Sequence, residues 1–262
     1  MKLEIITKTP QTKTHDTPLL LIHGAWHGAW CWENFLPYFA DQGYEVHALS
    51  LRGHGASEGH ENIRWYSGAT DYVEDVAQVV NSLDRQPVLI GHSMGGYVTQ
   101  KYLEQHNALA GVLVASIPVT GLIGMMCRLL IRHPIPSLKT VFLFDTWHLA
   151  ATPALAKDHF FSDDYSDIGF SRHYARMQTE SYRMALETLV LSLPRPRKVK
   201  TPLLVLSAQN DRTFSVQEQK ATAKAYHTEA VFFPNMAHDM MLEKDWQKVA
   251  DKILSWLGER GL

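Results

Sequence analysis

The sequence predicts an α/β fold built on a mainly parallel sheet with helices on both faces. Two observations carry this expectation. Short continuous apolar runs alternate with amphipathic runs of helical period, and strands buried on both faces read as unbroken apolar runs. In addition, one glycine-bounded turn, Gly91-His92-Ser93-Met94-Gly95, joins an apolar run directly to a helix-like run. A chain of 262 residues, 45% hydrophobic and 20% charged, is long enough to bury a large core of this kind.

Each element follows in order. Residues 1–7 alternate polar and apolar side chains as an edge strand does. They lack the charged start, apolar centre and small-residue cleavage site of a signal peptide, so a cytoplasmic location is expected. Leu19–Ile22 reads as a short buried strand after Pro18. Residues 32–40 suit a helix ending near Gly43, and 45–49 a second strand. Over 71–83, Val73, Val76, Val79, Val80 and Leu83 make an apolar stripe at helical spacing. Residues 88–90 form a third strand and 94–106 the helix after the glycine turn. Further strands are expected at 112–115, at 203–206 after Pro202, and at Ala230–Phe233. Over 244–257, Trp246, Val249, Ile253 and Leu257 share one helical face.

The alternation breaks between Ile117 and Arg197. That stretch has no clear buried strand, and it carries Pro134, Pro136, Pro153, Pro194 and Pro196 among helix-like apolar patches. A helical cap over 117–197 is expected, with a core made of 1–116 and 198–262. The apolar stretch 109–127 is long enough to raise the question of a membrane span. Gly111, Ser116, Pro118, Gly121 and Gly124 interrupt it, so its first half reads as a buried strand and no stable membrane insertion is expected.

A formal net charge of -2 leaves no basic footprint for nucleic acid. The two cysteines, Cys31 and Cys127, lie far apart without metal-ligand spacing and read as buried apolar residues. Neither cofactor nor metal is expected, and no oligomeric state follows from the sequence.

The chemistry centres on Ser93. A strand, a tight turn and a helix are the setting that turns G-x-S-x-G into a nucleophile elbow. A Cβ at Gly91 or Gly95 would crowd so sharp a turn. A serine hydroxyl needs a base, and the base needs a group to orient it. Asp211 follows the strand at 203–206 and His238 follows the strand at 230–233, which gives the order Ser, Asp, His. Both positions fall at the carboxyl edge of a parallel sheet, where ligands gather. Asp211 could instead cap a helix starting near Phe214. Asp163, Asp164 and Asp167 look solvated, and Asp239 is only a chain neighbour of His238. With 14 histidines in the chain, His238 stands out by its place after the last strand.

Acyl transfer also needs donors for a developing oxyanion. The Met94 amide is one. The second is expected in the loop His23-Gly24-Ala25-Trp26, with Ala25 first and Trp26 as the fallback, and Gly24 allowing close backbone approach. His23 and His27 have i,i+4 spacing but sit in a glycine-containing loop without a carboxylate ligand, so a metal site is not expected there. His23 is expected to hydrogen-bond beneath the loop.

Taken together, His23-Gly24 after a strand, Arg52-Gly53-His54-Gly55-Ala56-Ser57 in a loop, the Gly91–Gly95 elbow, Asp211 and His238 resemble the α/β-hydrolase superfamily over nearly the whole chain. The resemblance implies an eight-stranded, mainly parallel sheet with residues 1–7 in its N-terminal antiparallel part. It also implies a cap inserted after the sixth strand, and a serine esterase or lipase-like (lysophospholipase-like) activity. An Asp often precedes the Arg-Gly-x-Gly segment; Leu51 stands there in this chain. The segment from His23 to Trp32 also resembles the esterase and hydroxynitrile-lyase branch.

The expected reaction is therefore hydrolysis of a small-molecule carboxylic ester with an apolar, medium-length acyl group, through an acyl-enzyme on Ser93. The apolar cap residues Leu122, Ile123, Met125, Met126, Leu129, Leu130, Ile131, Phe142, Leu143, Phe144 and Trp147 are expected mostly to pack the cap's own helices against the body, with a subset lining an acyl pocket. Two alternatives use the same triad: a hydroxynitrile-lyase-like enzyme, and a slow-turnover small-molecule receptor. A lysine at the site would favour the lyase, but Lys244 is expected to face solvent. Dehalogenase chemistry would need a carboxylate where Ser93 stands.

Overall fold

The computed structural model describes residues 1–262, the side chain of Asn62 excepted. Seven strands form one sheet: β1 (Glu4–Lys8), β2 (Leu19–Ile22), β3 (Val46–Ser50), β4 (Val88–His92), β5 (Gly111–Val114), β6 (Leu203–Ala208) and β7 (Ala230–Phe233). Their spatial order is β1-β3-β2-β4-β5-β6-β7. Only β1 runs antiparallel, pairing with β3; every other pair is parallel.

The expected count of eight strands is corrected to seven. A single antiparallel strand precedes β2, because residues 9–18, Thr-Pro-Gln-Thr-Lys-Thr-His-Asp-Thr-Pro, carry no apolar side chain to bury and two prolines that cannot donate to a ladder. Here the chain runs as irregular backbone.

The helices are α1 (Phe35–Asp41), α2 (Ile63–Tyr66), α3 (Ala69–Ser82), α4 (Met94–Leu103), α5 (Ile123–Arg132), α6 (Pro134–Leu143), α7 (Pro153–Phe160), α8 (Asp167–Tyr174), α9 (Tyr182–Leu186), α10 (Val216–Ala225) and α11 (Trp246–Gly258). The first expected helix starts later than the sequence suggests. Residues 29–32 wind as a short 3-10 turn instead.

The period-2 geometry of a strand explains the two-layered core. Leu19 and Leu21 of β2 pack with α1 and α11 on one face. Leu20 and Ile22 pack with α3 and α4 on the other. All four are fully buried, which is why this strand reads as a run of leucines rather than as an alternation.

Between β5 and β6 the chain forms α5 to α9, two 3-10 turns and a π-helical turn (Glu187–Leu191). No strand interrupts them. Among the described residues, no helix is long and apolar enough to cross a membrane. Cys31 is buried, but Cys127 is exposed on α5. The sequence expectation of two buried cysteines is corrected there, because α5 turns Met125 and Leu129 inward and leaves Cys127 on its outer side.

Candidate active site

The turn between β4 and α4 lifts Ser93 to the carboxyl edge of the sheet. Ser93 has φ +51° and ψ −114°, a backbone conformation that a side-chain-bearing residue rarely adopts. The flanking glycines allow it by letting backbones meet. A Cβ on Gly95 would lie 2.2 Å from the carbonyl oxygen of Ile22, and one on Gly91 would lie 2.3 Å from the carbonyl oxygen of Gly95. Real Cβ contacts are never that short, so both positions require glycine.

Three side chains from three loops meet here. The Ser93 hydroxyl lies 2.9 Å from Nε2 of His238, whose Nδ1 lies 2.8 Å from Oδ2 of Asp211. Asp211 does two things at once. Its other oxygen, Oδ1, accepts from the amides of Thr213 and Phe214. The helix-capping alternative is corrected: these two amides lie in the turn before α10, and Asp211 closes that turn while it holds the imidazole. The helix that follows, α10, is capped by Ser215.

Two backbone amides face the same edge without a protein partner, among the described residues. Met94 begins α4, so its N–H has no intrahelical acceptor. The Ala25 N–H donates to nothing within the protein. The peptide that carries it is oriented from its other side. The Gly24 carbonyl accepts from His23 Nδ1 at 2.7 Å and from the His27 amide at 3.3 Å. His23 Nε2 accepts from the Leu51 amide, so the proton sits on Nδ1 and the ring is neutral. Burial likewise pushes its pKa well below the ordinary value. His23 thus does hydrogen-bond beneath the loop. Trp26, at φ +64°, has its carbonyl engaged by the Gln178 amide. Gly24 packs against the elbow, where a Cβ would come 3.0 Å from that of Ser93.

His92 is buried directly under the nucleophile turn. Burial holds its pKa down at about 3, and its Nε2 donates to the His238 carbonyl at 3.1 Å. The ring fastens the His238 loop to the elbow.

Several residues at this edge escape the sequence pattern. Asp239 pairs with His27 rather than with its chain neighbour His238. Glu180, between α8 and α9, reaches back to the body. It accepts from His54 Nε2 at 3.0 Å, Tyr72 Oη at 2.7 Å and the Ser181 amide. Gln178 beside it joins the Gly55 amide to the Gly53 carbonyl. The burial of Glu180 carries no sequence signal, because the groups that hold it, His54 and Tyr72, come from a distant part of the chain. Lys244 is exposed and pairs with Asp164, which places it outside the site.

An apolar cavity of about 110 Å³ opens beside the elbow. Ala25, Trp26 and Met94 form one wall, and Leu122, Met125 and Met126 form part of the other. Glu180 also borders it, with both carboxylate oxygens engaged as above.

Two clusters bring enough donor atoms together for a metal ion: His92, His238 and Asp239, and His133, Asp158 and His159. In the first, His238 is committed to Ser93 and Asp211. In the second, Asp158 already pairs with Arg132, Arg212 and His133, and two guanidinium groups oppose a cation.

Residues 19–252 match the family model described as the alpha/beta hydrolase family. The chain belongs to the alpha/beta hydrolase family. Among curated proteins, it is 39% identical over 80 residues to methylesterase 3 of Arabidopsis thaliana, covering 30% of each chain. It is 32% identical over 108 residues to a pyrethroid hydrolase of Sphingobium wenxiniae, covering 40% of this chain and 37% of that one. The matched stretch thus spans about a third of the length of these curated relatives. Among solved structures, the fold is similar to that of a thermophilic esterase from Thermogutta terrifontis. That match has a TM-score of 0.74 at 19% identity and covers 98% of this chain and 94% of the other.

Proposed function

We propose that this family member is a serine hydrolase of carboxylic esters. The observation that carries the reading is the continuous chain Ser93 Oγ, His238, Asp211, ending beside two amides without partners. In this reading His238 Nε2 takes the Ser93 proton as Oγ bonds to the ester carbonyl carbon. Asp211 keeps the other imidazole proton on Nδ1 and stabilises the imidazolium. The amides of Met94 and Ala25 donate to the oxyanion. Collapse expels the alcohol, which takes the proton from His238, and water activated by the same base then releases the acid.

The names of the relatives, methylesterase and pyrethroid hydrolase, support ester chemistry, as does the filling of every role at one sheet edge. In this reading residues 117–197 act as a cap that shapes the acyl site. The cavity is somewhat smaller than the roughly 150 Å³ void that admits benzene. It suits an apolar acyl group of medium length, accommodated as the flexible side chains of Met125 and Met126 give way.

The test is turnover of p-nitrophenyl esters from C2 to C12 by wild type and Ser93→Ala, with fluorophosphonate labelling mapped by peptide mass. Labelling at Ser93 and loss of turnover in the variant are expected, with the wild-type optimum above C2. Equal rates in the two proteins would sink the reading of Ser93, and a steady fall from C2 upward would sink the acyl preference.

A further inference from the structure

The loop bearing Ala25 and the loop bearing His238 are bridged by a buried pair that triad chemistry does not call on, His27 and Asp239. Both side chains are essentially inaccessible to solvent. His27 Nε2 lies 3.0 Å from Asp239 Oδ2, and its Nδ1 lies 2.7 Å from the Ala25 carbonyl. A carbonyl cannot donate, and neutral imidazole carries one N–H. The contacts therefore require one further proton on the pair, on His27 or on Asp239.

The surroundings decide which. Burial opposes charge on each group, but the Asp239 carboxylate outweighs it and raises the His27 pKa above the ordinary value. For Asp239, burial again opposes ionisation, and His27 outweighs it and holds the carboxyl below its ordinary range. The proton belongs on His27, and the pair is an imidazolium and a carboxylate. The Trp30 and Phe160 rings pack on His27 at centroid distances of 5.1 and 5.8 Å. Such walls exclude water and strengthen the field of the pair. The second oxygen of Asp239 has no hydrogen-bond partner. It faces Nε2 of His92 at 3.7 Å, a ring already bonded to the His238 carbonyl.

The pair has a direction. Its positive end contacts the peptide that follows Ala25. Its negative end adjoins His238 along the chain. Acyl transfer on Ser93 creates a negative oxygen near the Ala25 and Met94 amides and a positive ring at His238.

We propose that His27 and Asp239 form a positioning ion pair that locks the donor loop to the histidine loop and favours, through its charges, the separation of charge in the transition state. This rests on the esterase reading above. Neither residue touches substrate; both act through Ala25 and His238.

Asp239→Asn tests it cleanly. The amide can donate to Nε2 of a neutral His27 while Nδ1–H stays on the Ala25 carbonyl. Both hydrogen bonds survive and both charges disappear. The expected result is a fall of about tenfold in kcat for a p-nitrophenyl ester, with KM within about twofold. Affinity for an alkyl boronic acid, which adds to Ser93 as a tetrahedral anion, should fall by a similar factor. If the single variant does not fold, the double variant His27→Gln, Asp239→Asn carries the same measurement with an uncharged amide pair and the same expectation.

Wild-type kcat and boronate affinity, within twofold, in a folded variant would overturn the proposal, as would a loss confined to KM. Fluorophosphonate labelling of wild-type Ser93 separates the two readings. If labelling succeeds while the variant behaves as wild type, the pair loses its role and the esterase stands. If wild type is neither labelled nor active through Ser93, the parent reading itself fails.

Discussion

Helices α4 and α6 are both ten residues long, and they meet water in opposite ways. Every residue of α4 is buried. Helix α6 buries only Ser137 and Thr140, while Ile135, Leu138, Val141, Phe142 and Leu143 are exposed. The first is held by backbone meeting backbone at Gly91 and Gly95. The second leans on the body through a few side chains and forms part of the cavity wall with Thr140 and Val141. The serine proposed to attack a carbonyl is carried by fully buried structure packed through glycine. The surface that would choose among carbonyls sits on the part with the least buried against it.

The contrast is broken most directly at the elbow. Gly95→Ala forces a Cβ into the Ile22 carbonyl, and neither backbone can yield without moving β2 or α4. The expected cost is about 3 kcal/mol or more, seen as a large drop in the denaturant midpoint and loss of ester turnover. In α6, Phe142→Ser removes a ring that is 72% exposed. Its effect on the midpoint should stay within about 0.5 kcal/mol. Similar losses from the two substitutions would mean that α6 is as deeply anchored as α4.

A smaller effect is expected where the two regions meet. Met125 lies on α5 against the cavity and is nearly buried. Met125→Trp fills the void from the insertion side without touching Ser93, His238 or Asp211. The kcat/KM for a C8 ester should fall about tenfold relative to that for acetate, the scale of one or two methylenes denied a pocket. The acetate rate itself should hardly change. Parallel losses on both esters would place Met125 in the machinery rather than in the selection of the acyl group.

The same divide governs what the sequence could reveal. Residues 19–22 and 88–90 announce themselves because a doubly buried strand must be apolar at every position. Ser93, Asp211 and His238 were legible because a strained turn demands Gly91 and Gly95, and because the other two follow strands that are equally easy to see. The long-range polar contacts were not. Asp239 looked like an idle neighbour of His238, yet its partner His27 is 212 residues away. Glu180 lies in a segment whose period says only helix, and its burial depends on His54 and Tyr72 of the body. Leu51, where an Asp often stands, is buried and gives its amide to His23; the carboxylates that hold Arg52 come from Asp71 and Asp75 on α3. The missing eighth strand was a negative fact, readable only in the apolar-free stretch 9–18.

The finest distinction concerns the ion pair that joins the two loops of the rigid edge. A group whose folded pKa is raised contributes stability below its unfolded pKa and loses it as pH rises through the folded value. His27 is such a group, with an ordinary value of 6.5. Asp239 is the converse, its ordinary value being 3.8, so its contribution is lost as pH falls through its depressed folded value. The pair therefore stabilises the fold most between about pH 4 and 6. In Asp239→Asn the buried His27 stays neutral, while the unfolded chain still binds its proton below pH 6.5. The variant should weaken relative to wild type as pH falls from 8 to 5, by about 1 to 2 kcal/mol, in urea titrations at each pH. A gap that stays flat across that range would mean that the proton on His27 is not gained through Asp239. The charges invoked for the proposed transition state would then be absent from the resting protein.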